Sequence, residues 1–266
     1  MAVISNVPGI RVTVRVNGEP LTEYDDPEGE SNECGTVTKY IEATDGAEFT
    51  VVTEVLDDYN WDYKNHELGN RIYVDGKLMR AKQLRQSMST KMLEVSGTKE
   101  KLPNTGQWMF RRFKFAPINT VLVESSSQSG TSQCAIHDLG TIMVKVRRQK
   151  RCHVTYSDQV YSGNTELQIP EKALKGKAIS HSTMLTEGEA VRAPRPSSSI
   201  AIDAKPIAIF HFNYRSRSAL MDEMIIKRES TPDPLDALPV EELRRLARER
   251  LDMKVSSFLR AGAPSL

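Results

Sequence analysis

The residues of this chain best suited to hold an anion stand together at Arg215, Ser216, Arg217 and Ser218, inside FHFNYRSRSAL (210–220). Phe210, Phe212 and Tyr214 precede them at alternate positions, the spacing of one strand face. From Ala219 through Ile226 the apolar spacing turns helical, so Ser216 or Ser218 is placed to cap a helix start, with Asp222 and Glu223 following. Capping accounts for the serines but leaves Arg215 and Arg217, whose guanidinium groups beside a helix N-terminus suit a phosphate or carboxylate. Two readings of the tract stay open, a strand-to-helix junction and an anion site.

A second cationic cluster, KVRRQKRCHV, puts Lys145, Arg147, Arg148, Lys150 and Arg151 at the end of an alternating segment. Phosphates are one partner for such a run, and a solvated sheet face that answers acids elsewhere is the other. Alternation sends Lys145 and Arg147 to the same face, and no aromatic residue stands between the charges. The acids that would answer them are abundant: residues 1–70 hold fifteen acids against four bases, a net −11 in a chain whose total is +1.

Catalytic and metal-binding patterns fail on inspection. There is no G-x-S-x-G or G-x-G-x-x-G, and Leu174-Lys175-Gly176-Lys177-Ala178 lacks both the upstream glycine and the following hydroxyl of a phosphate loop. Asp58, Asn60 and Asp62 alternate as calcium ligands do, yet Tyr63 stands where the turn needs glycine and Gly69 where a bidentate glutamate is needed, which leaves a solvated loop. His66, His137, His153, His181 and His211 show no ligand spacing, and His137-Asp138 would point to opposite faces of a strand. No cofactor or metal is implied. Cys34, Cys134 and Cys152 are odd in number and widely spaced, without a glycosylation sequon, which points to an intracellular compartment. No apolar run approaches the roughly eighteen residues of a membrane span, and the first residues lack a secretory leader pattern.

The elements that must position these residues are mostly strands. Ile10, Val12, Val14 and Val16 alternate with Arg11, Thr13 and Arg15, and Asn17-Gly18 supplies the positive φ of a tight hairpin. Similar alternation marks Thr36–Ala43, Glu48–Val55, Arg71–Val74, Trp108–Phe115, Thr141–Arg147 and Ile207–Tyr214, with Asp45-Gly46 and Asp75-Gly76 as further turns. Lys82–Met92 admits a helix, by the spacing of Leu84, Met88 and Met92, or a strand begun after Asp75-Gly76; the turn favours the strand. Ser125–Gln133 and Thr186–Ser199 read as loops, and a short helix is expected from Pro170 to Gly176. An apolar fraction of 39% and a mean hydropathy of −0.44 fit a loop-rich chain. The expected fold is mainly β: an antiparallel β-sandwich, jelly-roll-like or Ig-like with two sheets, carrying short helices and a C-terminal amphipathic helix.

The expected organisation is a β-sandwich domain over 1–228, a linker over 229–239 rich in proline, a helix over 240–260 and a disordered end over 261–266. Leu243, Leu246, Leu251, Val255 and Phe258 form the apolar stripe of that helix. At about twenty residues it is marginal alone in water and calls for a surface, either its own sandwich or a protein partner, another chain or a second copy.

The segments PGIRVTVRVNGEPLTEYDDPE, RIYVDGK, LGTIMVKVRR, EKALKGKAISHST and FHFNYRSRSAL, followed by IIKR, occur here in order. In these the chain resembles an uncharacterised fungal domain family, domain of unknown function 7918, over roughly residues 3 to 228. The resemblance implies a mostly β domain and a fungal source and carries no activity or site residue. The leading expectation is a non-enzymatic intracellular interaction module with a tethered C-terminal contact helix. The alternatives are a nucleic-acid or chromatin-associated protein that binds through its basic strand, and an enzyme whose site is assembled from distant loops.

Overall fold

Alternating apolar residues close two sheets over one core in the computed structural model, which describes residues 2–4, 7–27, 35–63, 65–118, 120–121, 138–152, 169–170, 178–194, 198–228 and 239–261. In chain order the strands are β1 (Ala2–Ile4), β2 (Val7–Val16), β3 (Glu19–Pro20), β4 (Glu23–Asp25), β5 (Thr36–Glu42), β6 (Glu48–Val55), β7 (Glu67–Val74), β8 (Lys77–Leu84) and β9 (Met92–Val95). There follow β10 (Gly97–Lys101), β11 (Trp108–Pro117), β12 (Thr120–Val121), β13 (Thr141–Cys152), β14 (Ile169–Pro170), β15 (His181–Leu185), β16 (Glu189–Val191), β17 (Ser198–Ala201) and β18 (Ala208–Arg215). Two helices close the chain, α1 (Arg217–Asp222) and α2 (Val240–Ala261). The chain divides into two compact units, Met1–Ile226 and Lys227–Leu266.

The first sheet runs β1-β2-β6-β11-β10, with β15 and β16 on β11, β3 on β2 and β9 on β6. The second runs β4-β5-β18-β13-β7-β8, with β17 on β13. Ile10, Val12, Val14, Phe49, Val51, Phe113 and Phe115 from the first sheet share a buried cluster with Val37, Ile41, Ile72, Ile142, Val144, Phe210, Phe212 and Tyr214 from the second. Phe49 stacks on Phe113 and Phe115, with centroids 5.3 and 4.3 Å away, and Phe115 meets Tyr214 across the sheets at 5.1 Å. A mainly β fold of two packed sheets is therefore what the alternation builds. It is not wholly antiparallel: β5 lies parallel to β18, from Thr36 opposite Ile209 to Glu42 opposite Arg215. Two strands so far apart in sequence need no hairpin, so direction is free to follow the closure of the sandwich.

Turn chemistry acts as expected at the hairpins, with Asn17 at φ 53° and Asp75 at φ 49° ahead of their glycines. Elsewhere tertiary pairing overrides the local pattern. Lys82–Met92 holds no helix: β8 ends at Leu84, a turn follows, and β9 begins at Met92. Leu84 is fully buried while Met88 and Met92 are exposed, so the three never share a stripe. Thr186–Ser199, expected as a loop, contributes β16 against β11 and the first two residues of β17 against β13. Strands of three and four residues are too short for alternation to mark them, and only the neighbouring strand shows them as paired. The helix expected from Pro170 falls almost wholly on 171–177, outside the described residues, as does the loop Ser125–Gln133; Pro170 itself lies in β14.

The acidic loop after β6 is not merely solvated. Asp57, Asp58 and Asp62 are exposed, but Tyr59 and Trp61 turn inward. The Tyr59 hydroxyl lies 2.7 Å from His66 Nε2, and the Trp61 and His66 rings stack at 5.6 Å. Burial pushes the Tyr59 phenol up to about 12. This aromatic plug sits against Gly9, which has φ +81° and where a Cβ would come 2.3 Å from the Tyr59 amide nitrogen. Gly9→Ala should therefore destabilise the domain by about 2 kcal/mol or more, since it adds both a left-handed penalty and a backbone clash. Urea denaturation of variant and parent measures this, and equal midpoints would refute it.

Candidate functional site

Strand β13 sorts its cations by alternation. Ile142, Val144 and Val146 are fully buried, so Met143, Lys145 and Arg147 face outward from the second sheet, and the same phase carries Arg151 outward beyond them. Arg148 takes the opposite phase: its Nε and Nη2 donate to Asp203 at 2.7 and 3.0 Å, and its guanidinium stands 3.9 Å from the Tyr63 ring centroid. Lys150, in the same phase as Arg148, is exposed where β13 runs on against β17. Strand β7 then adds two residues that the sequence cluster did not contain. Arg71 lies directly opposite Lys145, and Tyr73 opposite Met143. Lys145 Nζ sits 5.2 Å from the Tyr73 ring centroid, so an aromatic does stand among the charges. No local signal marked Arg71 or Tyr73, because only the pairing of strands far apart in the chain brings them there.

The Arg-Ser tract folds as a junction between β18 and α1. Ser216 is the N-cap: its Oγ accepts from the Ala219 amide at 3.2 Å, and the Ser218 hydroxyl lies 3.0 Å from it inside the helix. The helix ends at Asp222, so Asp222 and Glu223 occupy its C-terminal end and not its first turn. Arg215 is 8% exposed, and its Nη1 donates to the carbonyls of Gly140 and Tyr214 at 2.8 and 2.9 Å. Its Nε lies 3.9 Å from Glu223, whose carboxyl is raised by burial against the opposing pull of Arg215. Arg217 is exposed and reaches Glu42 at 3.3 Å. Each guanidinium thus has partners within the domain.

Just behind this junction lies a carboxyl that the sequence showed only as a turn residue. Asp75, 3% exposed, accepts from the Gly140 amide and the Tyr214 hydroxyl on Oδ1, at 2.8 and 2.6 Å, and from the Thr183 amide on Oδ2 at 2.8 Å. Its own amide donates to the Thr141 carbonyl at 2.9 Å. Desolvation outweighs these donors and pushes the carboxyl up to about 6, and burial beside it drives the Tyr214 phenol well above its ordinary value. Nearby, His181 Nε2 meets Asp45 at 2.5 Å and its Nδ1 meets Ser180 Oγ at 2.9 Å, while that Oγ accepts from the Ser216 amide at 2.6 Å. Carboxylate, imidazole and hydroxyl stand in the order of a proton relay. With His181 4% exposed and the Ser180 oxygen already holding an amide, the chain of bonds clamps the Asp45 turn, β15 and the β18–α1 junction together.

Helix α2 is described by itself. Glu241 and Glu242 lie in its first turn, where the helix dipole favours them, and Arg245 reaches Glu249 one turn on at 3.7 Å. Leu251 and Met253 are exposed, Leu243 is half-buried, and the side chains of Leu246, Val255 and Phe258 lie outside those described. Among the described residues no three His, Cys, Asp or Glu side chains gather as a metal site, and no helix is long and apolar enough to cross a membrane. Of the cysteines only Cys152 is described, and it is free.

Comparison with known proteins matches residues 9–229 to a family model described as a domain of unknown function, DUF7918. Neither the curated proteins nor the solved structures give a match.

The Asp75 carboxyl generates a pH prediction. Because its folded value lies above the ordinary 3.8, its contribution to stability is full below 3.8 and is lost as pH rises through about 6. Stability of the parent relative to Asp75→Asn, whose amide does not titrate, should therefore rise between pH 7 and pH 5, by up to about 3 kcal/mol over the whole titration. Denaturant midpoints for both proteins across that range measure it; parallel curves would show a carboxyl of ordinary acidity.

Proposed function

We propose that this chain, which belongs to the DUF7918 family, is a non-enzymatic interaction module: a β-sandwich that offers α2 as a tethered contact element to another protein. The observation that supports this reading is α2 itself. It is a helix of 22 residues in a unit separate from the sandwich, with Leu251 63% and Met253 66% exposed. A helix of that length gains little from its own hydrogen bonds in water and is normally held by burying an apolar stripe. Leu243, Leu246, Leu251, Val255 and Phe258 supply the i, i+3, i+4 positions that a groove on a partner protein or on a second copy accepts. We infer an intracellular setting from the odd number and wide spacing of Cys34, Cys134 and Cys152, and a fungal source from the family resemblance.

Two changes test the reading, deletion of 229–266 and the paired substitution Leu243→Glu with Leu251→Glu in the full chain. Light scattering after size exclusion and affinity capture of partners should both register the loss, as a smaller assembly or a partner that no longer co-purifies. Assemblies and partners unchanged by both variants would sink the proposal.

A further inference from the structure

We propose that the outward face of the second sheet binds single-stranded nucleic acid, with Arg71, Lys145 and Arg147 on phosphates and Tyr73 beneath a base. The face is built by strand pairing alone. Lys145 on β13 stands directly opposite Arg71 on β7, and Arg147 follows two positions along the same side. Like charges directly opposite on neighbouring strands repel, and a sheet optimised for stability alone avoids them. Here no carboxylate among the described residues pairs with Arg71, Lys145 or Arg147, and the Arg147 Nε is buried with no acceptor.

The first sheet shows what neutralisation looks like in the same molecule. Arg11 and Arg15 share Glu54, Arg111 takes Glu100 at 3.2 Å, and Arg112 lies between Glu48 and Glu189 at 3.9 and 3.6 Å. Acids from the first 70 residues also reach Arg85, Lys91 and Arg217. Among the described residues Arg71, Lys145 and Arg147 are left out of this exchange, although the chain as a whole is nearly neutral. An anion from outside is the counterion that their arrangement fits.

The uncharged residues of the face select the class of anion. Tyr73 and Met143 stand opposite each other one row from the Lys145–Arg71 pair, and Ile209 lies opposite Lys145 on β18. An aromatic ring beside a cation is a stacking platform for a base whose phosphates the neighbouring cations hold, and such contacts tolerate any base. Duplex DNA fits poorly, because its major groove admits a helix or a two-stranded ribbon whereas β13 and β7 lie in the middle of a seven-stranded sheet.

The test is fluorescence anisotropy of a labelled oligouridylate or oligothymidylate titrated with the full chain between about 50 and 200 mM salt. Replacing Arg71, Lys145 and Arg147 together by Gln should flatten the slope of log affinity against log salt by about 2, near 0.7 for each lost phosphate contact. Tyr73→Ala and Tyr73→Leu should each weaken binding about five-fold or more with the slope kept. Lys101→Gln, on the first sheet, should change nothing. Thermal unfolding of each variant establishes that it is folded. Absence of binding at the lowest salt overturns the proposal, as does a slope that survives the triple substitution. So does equal, Tyr73-independent binding of duplex DNA, heparin or polyglutamate, which would mark a general acidic-partner surface.

Discussion

Burial of the Asp75 carboxyl between the two sheets is the constraint on which the rest of the domain turns. Removing a carboxyl from water is costly, and here three donors from three separate segments offset part of that cost: Gly140 before β13, Tyr214 on β18 and Thr183 on β15. Thr183 belongs to the first sheet, whereas Asp75 sits in the turn of the β7–β8 hairpin in the second. The bonds therefore fix how one sheet lies on the other, which nondirectional apolar packing alone does weakly. A second polar tie, from the Thr98 hydroxyl of β10 to the Met79 carbonyl of β8 at 2.8 Å, acts in the same way further along.

With that frame fixed, the surfaces of the two sheets take different characters. On the first, arginines and glutamates interleave and cancel. On the second, β7 and β13 are held in a register that sets Lys145 against Arg71, and Arg215 is turned into the Gly140 corner. The repulsion between two opposed cations is small beside the burial of Ile72, Val144 and Phe210 on the other side of the same strands, so the core decides the register and the outer face accepts it. Binding surfaces commonly arise this way, from groups that a well-packed scaffold can carry without their own satisfaction.

Much of this was legible beforehand where the signal is local. The boundaries of β6 and the turn at Asn17-Gly18 agree with alternation and turn chemistry, and the capping serine follows from the tract itself. Local reading failed where the partner lies far along the chain. Trp61 and Tyr59 looked like members of a solvated acidic loop until Gly9 and His66 closed around them. Thr186–Ser199 looked like a loop because short marginal strands carry no periodicity of their own. The relay of Asp45, His181 and Ser180 spans 136 positions, and no spacing rule reaches that far.

The sequence by itself determined that the chain would be mainly β, where its tight turns fall, which residues of each strand point inward and that an amphipathic helix lies beyond a proline-rich stretch. These follow from steric periodicities and φ preferences that act within a few residues. Tertiary structure alone decided which strands meet and in which direction, that β5 runs parallel to β18, that Asp75 is a buried acceptor and that Arg71 faces Lys145. Pairing and burial are contacts between distant segments, set by the joint packing of the whole core, and a one-dimensional pattern carries no coordinate for them.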